Sequence, residues 1–415
     1  MEVSPGYKQT EVGVIPEDWE AKEIGREIDL LTGYPFPSSG YSESGVRLLR
    51  GSNVKRGETD WNSDMTQYWP AVTPNIGQYE LRHGDLVIAM DGSLVGRSYA
   101  QLKFDDLPAL LLQRVARIRS AKLDVTYLAA FVGSSRFIKY ADSVKTVTAI
   151  PHISPGDIRK FTIPIPPTLL EQRAIAAALS DADALLAGLD RLIAKKRDLK
   201  QATMQQLLTG QTRLPGFSGA WEVKRLDELA DIRSGGTPST AVPQFWDGKI
   251  PWCTPTDITT LGGRKYLRDT NRMITQHGLK SSSAEMIPAG SIVMTSRATI
   301  GECAISTVPV STNQGFKNFV PLEPTDAEFL YYLLTTQKCG FISLCGGSTF
   351  LEIGKAQLAV YTVRLPKSKA EQTAIAAVLA DMDAELSLLT ARRGKTRALK
   401  QAMMQELLTG RTRLV

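Results

Sequence analysis

The chain has 415 residues, enough for two or three domains that each bury a core. Hydrophobic residues make up 43% and charged residues 22%, which excludes an intrinsically disordered chain. A net charge of +6 permits an acidic partner such as nucleic acid without demanding one, and no run approaches the roughly 20 apolar residues of a membrane span. The opening stretch "MEVSPGYKQTEVGVIPEDWE" has no signal-peptide core. Cys253, Cys303, Cys339 and Cys345 show neither metal-type spacing nor a disulfide framework, so the cytoplasm is the expected location.

Residues 1–165 read as a mixed α/β domain. "DLVIAM" and "RVARIR" have strand composition, and a helix is expected around 124–140. Turn-rich loops such as "TGYPFPSSGYSESG" lie between them. Loops on a strand scaffold commonly carry recognition. This block offers Arg47, Arg50, Ser52, Asn53, Lys55 and Arg56, then Asp91, Ser93 and Arg97, then Gln113 and Arg114. Arg, Asn and Gln can bond base edges in pairs, while Lys and Ser suit phosphates. For each residue the plain alternative is a solvated loop.

Residues 166–214 read as a long helix. Pro166 and Pro167 precede a capping box, Thr168 to Glu171, and Gly210 stands at a C-terminal cap. Ile175, Leu179, Ala182, Leu186, Leu189 and Ile193 recur at spacings of four and three, a heptad seam. About 39 residues at 1.5 Å each would give a helix of roughly 58 Å.

Residues 215–365 form a second mixed α/β block, with strand-like "SIVMTS" and "KNFVPL" and a helix expected around 326–338. Its polar candidates are Thr237 and Ser239 in "RSGGTPST", Thr254, Thr256 and Asp257 in "PWCTPTDIT", Ser296, Arg297 and Thr299 in "TSRATIG", and Asn313, Gln314 and Lys317 in "STNQGFKN". Residues 366–415 form a second long helix. Pro366 and the box Ser368 to Glu371 open it, Gly410 closes it, and Ile375, Leu379, Met382, Leu386 and Leu389 repeat the seam before Arg393 breaks it.

The two helical segments are copies. Glu171–Leu214 and Glu371–Leu414 align without a gap, with 27 identities in 44. Fainter echoes join the blocks ahead of them: "DWEAKEIGREI" resembles "AWEVKRLDELA", pairing Trp19 with Trp221. So the chain is a two-fold duplication rather than a solenoid. Neither helix can hide its stripe alone, so each is expected to pack on the other, antiparallel, rather than only on its own domain. The charge excess lies in the helices: 7 basic against 5 acidic residues in 166–214 and 9 against 5 in 366–415, while 1–165 holds 19 against 20 and 215–365 holds 14 against 13.

Catalytic motifs are not found. "GGSTFLEIGKA" (346–356) has the wrong glycine spacing for a phosphate loop, and Ala356 stands where Ser or Thr is needed. His83, His152 and His277 are scattered, and ordinary buried or surface roles suit them better than metal ligation. Asp181 and Asp183 recur as Asp381 and Asp383 on the helices, which fits a solvated face or a partner contact. The chain therefore reads as a binder. Its rivals are a two-headed coiled-coil scaffold for protein or ligand, and a nuclease or methyltransferase in its own right.

Four stretches together resemble one family, the specificity subunits of type I restriction-modification enzymes: "TEVGVIPEDWE"; "SGGTPST…FWDGKIPWCTPTDI"; "IPIPPTLLEQRAIAAAL" answered by "LPKSKAEQTAIAAVL"; and "LLTGQTRL" with "LLTGRTRL". The resemblance implies an α+β fold with a pseudo-two-fold internal repeat: two mixed α/β target recognition domains joined by two long antiparallel helices in a coiled coil. The domains would be residues 1–165 and 215–365, with helical spacers 166–214 and 366–415. It implies that each domain reads one half of a bipartite, asymmetric double-stranded DNA site. The helices would dock two methyltransferase subunits, with a motor-nuclease subunit as a further partner. S-adenosylmethionine, ATP and Mg²⁺ would belong to those partners; no cofactor, metal or catalytic residue is expected in this chain. The first block departs from the pattern, having "TGYPFPSSGYSESGVRLLRGSNV" where the second has the "GGTPS…PW" run.

Overall fold

The computed structural model describes residues 4–345 and 351–414. The chain divides into two compact units, Met1–Asp190 with Ala391–Val415, and Arg191–Thr390. Each unit contains one α/β domain, the near half of one long helix and the far half of the other.

In the first unit the central sheet is antiparallel, in the order Asp29–Thr32, Val115–Arg119, Leu86–Ala89, Tyr99–Gln101. Leu86 to Ala89 are all buried, because alternate residues serve opposite faces. Leu86 and Ile88 join a core with Trp19, Tyr127 and Phe137, while Val87 and Ala89 join a second core with Leu49, Leu81 and Leu111. The continuous apolar run of "LVIA" follows from this double burial. The second unit repeats the scheme with five strands: Ala230–Ser234, Phe316–Pro321, Ile292–Thr295, Cys303–Ser306 and Tyr266–Leu267. Ile292 and Met294 face the core that holds Phe329 and Tyr332, and Val293 faces the one that holds Cys253 and Phe316.

The helix expected over 124–140 is two helices, Val125–Val132 and Ser135–Val144. They break after Gly133, where Ser134 turns to extended backbone (ψ 160°), and a Cβ on Gly133 would lie 2.1 Å from the Tyr99 hydroxyl. The second unit has the same pair, Ala327–Thr336 and Lys338–Ser343.

The long helices run Leu169–Thr209 and Lys369–Leu407. They end as the glycines require: Gly210 has φ 74° and Gly410 φ 69°, the left-handed region that closes helices. Within each unit the two helices are antiparallel. In the first unit Lys400 meets Asp183 at 2.6 Å and Arg393 meets Asp190 at 2.9 Å, seven residues back on one helix for seven forward on the other. In the second unit Lys200 pairs with Asp383, and Lys196 with Glu385 at 2.7 Å. Asp183 and Asp383 are thus contacts between the helices. Arg393, which interrupts the heptad pattern, is the partner of Asp190.

The seam differs from its expected form at one end. Ile175 and Leu179 are buried in the first domain's own core, and Ile375 and Leu379 in the second's, with Met382 packed against the latter. Leu189 and Ile193 are buried farther along, while Ala182, Leu186, Leu386 and Leu389 are half-buried. The stripe therefore does two jobs, domain packing at the helix start and helix pairing beyond it.

The capping boxes are corrected as well. The Thr168 hydroxyl does accept the Glu171 amide at 3.2 Å. The Glu171 carboxylate does not return the bond; it is buried and pairs with Arg413. In the second copy the Glu371 amide donates to the Ser368 carbonyl, and the Glu371 carboxylate is buried against Arg213. The adjacent glutamines tie helix to domain. Gln172 Oε1 accepts from the Asp124 amide at 2.9 Å while its amide group donates to the Pro166 carbonyl at 3.2 Å. Gln372 does the same with Asp326 and Pro366, both at 3.0 Å.

Candidate nucleic-acid interface

One end of each central sheet gathers the candidate residues. In the first unit the strand Leu86–Ala89 runs out at Met90, whose amide donates to the Arg114 carbonyl at 2.9 Å. The Met90 carbonyl accepts from Ile153 at 2.8 Å, and the Gly92 amide donates to Pro151 at 3.0 Å. The Gln113 amide reaches the Tyr34 carbonyl at 2.9 Å. These bonds draw four separate stretches into one tip. Arg114 adopts φ 68°, rare for a residue with a Cβ. Its guanidinium sits 2.9 Å from the Asp91 carboxylate. Gly51 lies against the same carboxylate, since a Cβ there would come 3.4 Å from it, which brings the Arg50–Asn53 turn alongside. Ser52, Ser93, Gln113 and Arg114 are exposed on this tip, and Asp91 is half-buried.

The second unit builds the same backbone frame with other side chains. The Ser296 amide donates to Gly315 at 2.7 Å and the Ser296 carbonyl accepts from Ile353 at 3.1 Å. Ser296 and Arg297 thus stand where Met90 and Asp91 stand, Gln314 and Gly315 match Gln113 and Arg114, and Glu352 matches His152. Arg297 pairs with Glu352 at 2.9 Å, so the charges are reversed relative to the first tip. Ala298 has φ 56°, as Gly92 has φ 97°. The "SGGTPS" run packs beneath. A Cβ on Gly235 would lie 1.9 Å from the Asn313 carbonyl oxygen and one on Gly236 2.4 Å from the Ala284 amide, so neither position admits a side chain. Thr237 donates to the Gln314 side chain, and the Asn313 side chain accepts from the Gly315 amide at 2.9 Å. Ser239, Thr256 and Thr299 are exposed.

Other candidates serve the fold. Asn53 is buried, accepting from the Arg50 amide at 3.2 Å and donating to the Asp60 carbonyl at 2.9 Å. Asp257 is buried and accepts from Thr254 and Asn271 at 2.7 to 3.0 Å. That also occupies Thr254. Ser296 and Lys317 are interior, and burial pushes the Lys317 ammonium down from the ordinary lysine range. These four are interior and do not present side chains to a ligand: Asn53 closes the turn Gly51–Asn53, Asp257 sits in the helix Pro255–Thr260, Ser296 follows the strand Ile292–Thr295, and Lys317 lies in the strand Phe316–Pro321. Arg47 donates to the Asp105 and Leu107 carbonyls, both at 2.8 Å, and lies over the Trp61 ring. Arg50 donates to the Met65 carbonyl, and Lys55 to the Ser52 carbonyl at 2.8 Å. Arg97 pairs with Asp142 at 2.8 Å; hydrogen bonds from Arg97 and Lys145 hold that carboxyl down at about 2. Arg56 stays exposed.

Sequence reading missed His152, Thr146 and Glu352 as members of the tips. His152 Nδ1 lies 2.9 Å from the Thr146 hydroxyl. The signal was available: Ile153 and Ile353 sit at the repeat's offset of 200, each preceded by a polar residue.

Among the described residues no three His, Cys, Asp or Glu side chains form a group that could hold a metal ion, and no helix is long and apolar enough to cross a membrane. Burial raises the Cys253 and Cys303 thiols well above the ordinary range, which suits inert core residues.

A duplicated α/β domain with a loop tip and an antiparallel helix pair defines a class, and the comparisons agree on it. The chain belongs to the family described as "Type I restriction modification DNA specificity domain", whose model matches residues 16–195 and again 219–395. Among curated relatives, the chain is 38% identical over 165 residues to the type I restriction enzyme MjaIX specificity subunit of Methanocaldococcus jannaschii, covering 39% of this chain and 38% of that one. It is 32% identical over 217 residues to the MjaVIII specificity subunit of the same organism, covering 51% and 50%. The matched part thus spans half or less of each of these relatives. The fold is also that of the S subunit of a type I restriction-modification system from M. genitalium, with a TM-score of 0.62, 16% identity and 98% of each chain covered.

Proposed function

We propose that this chain is the DNA sequence-specificity subunit of a type I restriction-modification complex, and carries recognition rather than catalysis. Each recognition domain, residues 1–165 and 215–365, reads one half of a bipartite, asymmetric site. The helical spacers, 166–214 and 366–415, dock two methyltransferase subunits, and a motor-nuclease subunit joins for restriction. S-adenosylmethionine, ATP and Mg²⁺ belong to those partners, and the complex works in the cytoplasm.

The observation that carries the reading is the pair of tips. One backbone frame displays Asp91, Arg114 and His152 in the first unit and Arg297, Gly315 and Glu352 in the second. Two like frames with unlike donors and acceptors suit two different half-sites, because base edges are told apart by donor and acceptor pattern. The two long helices keep their repeated sequence, as two equivalent docking surfaces require.

The test is to co-express the chain with its cognate methyltransferase and map methylated bases across a genome. An interrupted motif of two short, unrelated halves is expected. A continuous motif or a palindrome would overturn the reading. Co-purification with a protein ligand and no DNA would favour the two-headed scaffold instead.

A further inference from the structure

The first unit raises aliphatic side chains off the tip where a water-facing surface has no use for them. Val147 is 102% exposed and Ile150 58%, both on the loop 146–152. Leu94, on the neighbouring loop, is 59% exposed. The geometry of the two loops is set by hydrogen bonds rather than by burial of these residues. The Gly92 amide donates to the Pro151 carbonyl at 3.0 Å, joining the loops. The Thr146 amide donates to the His152 carbonyl at 3.0 Å, and the Thr148 hydroxyl to the Ile150 carbonyl at 2.7 Å, closing the second loop on itself. The loop is thus pinned at its base, with its aliphatic residues pointing away from either core.

Exposed apolar side chains grouped on one rim mark a contact surface. What they contact follows from their surroundings. Gln113, Arg114, His152 and Ser93 stand around them, all exposed and all able to donate hydrogen bonds. A protein hot spot calls for a larger apolar centre with aromatic anchors. The major groove instead presents single methyl groups of thymine beside acceptors on thymine, adenine and guanine. Small aliphatics within a collar of donors complement that pattern.

We propose that Val147 and Ile150, with Leu94, read thymine methyl groups in the half-site taken by the first unit. The inference rests on the DNA-reading function proposed above and deepens it: this half-site contains at least one A·T pair recognised through its methyl group.

The test uses the full chain in complex with its methyltransferase. The R114A variant identifies which half of the motif belongs to the first unit. Each thymine of that half is then replaced in synthetic duplexes by deoxyuridine, which removes the methyl group alone. Binding should weaken about three- to fivefold at one or two positions, the size expected for one buried methyl group. In V147S/I150S the ratio should fall to near one, while deoxyuridine in the other half-site has the same effect as in the parent complex. Because both residues are exposed, the variant should melt at the parent temperature. An intact bipartite motif with no thymine in the first half overturns this inference alone. So does indifference to deoxyuridine, or discrimination that survives V147S/I150S. Failure to bind the methyltransferase with DNA recognition intact would show that the rim meets a protein. A complex with no bipartite motif would instead sink the functional reading itself.

Discussion

The guanidinium of Arg413 lies on the carboxylate of Glu171, 242 residues earlier in the chain, with one of its two bonds at 2.8 Å. The same guanidinium holds Asp18 at 3.0 Å and lies over the Trp19 ring. Glu171 is only 1% exposed, so this is a buried anion whose cationic partner among the described residues is Arg413. The second unit repeats the joint with Arg213, Glu371 and Trp221, but Ala220 replaces the aspartate and the Trp221 indole donates to Glu371 at 3.4 Å. Each joint fastens the tail of one long helix to the start of the other.

Breaking the joint should therefore cost more than a surface ion pair. R413A leaves Glu171 buried and unpaired, and we expect a loss of about 2–4 kcal/mol in denaturant unfolding, the lower end reflecting the partial exposure of Arg413. R413K should restore little, because an ammonium cannot bond Glu171 and Asp18 with a planar fork. A loss under 0.5 kcal/mol for R413A would mark the pair as incidental.

In the second unit a tyrosine extends the helix-to-helix ion pair into a longer polar chain. Tyr332 donates to Asp383 at 2.7 Å, Lys200 pairs with Asp383, and Lys265 meets Glu328 at 2.8 Å beside the same tyrosine. Burial and the Asp383 bond keep the Tyr332 phenol protonated far above its ordinary range. The aligned residue in the first unit is Ala130. Y332F should lower stability by about 1–2 kcal/mol by removing a donor to a charged acceptor. Urea melts that separate the two units should show the shift in the second alone.

Recognition should separate by unit. R114A and R297A are each expected to relax one half of the methylated motif and leave the other unchanged, with discrimination falling by about 1–3 kcal/mol at the affected position. Genome-wide methylation mapping reads both halves at once. If either variant altered both halves, independent tips would be ruled out.

Gly235 offers a backbone test. A side chain there meets the Asn313 carbonyl, so G235A must displace the loop that carries Asn313 and Gln314. The second half-site should be lost or degenerate while the first is still methylated within a shortened motif.

Asp142 ties the Arg97 loop to the helix Ser135–Val144. Its carboxyl is depressed to about 2, so the tie is complete above the ordinary aspartate range and is lost as pH falls through about 2. A carbon-13 carboxyl titration should place Asp142 near that value, and R97A together with K145A should return it to the range of free aspartate.

Much of the architecture was legible along the chain. The duplication, the helix bounds near 169 and 209 and again near 369 and 407, the closing glycines and the four strand-like runs all follow from periodicity, caps and turn residues, which act over a few positions. The break after Gly133 was not legible in the single helix expected over 124–140. Asn53, Asp257, Ser296 and Lys317 looked like loop polar groups and are interior, since composition does not say which polar residues the tertiary packing encloses. His152 and Glu352 entered the tips only when the backbone brought them beside Asp91 and Arg297. Glu171 and Glu371 show the division most plainly. Each has the spacing of a helix cap, and local spacing was all that the sequence could supply. Burial removed water as the competing partner, and a guanidinium from the far end of the other helix took the carboxylate, a choice only the tertiary structure could make.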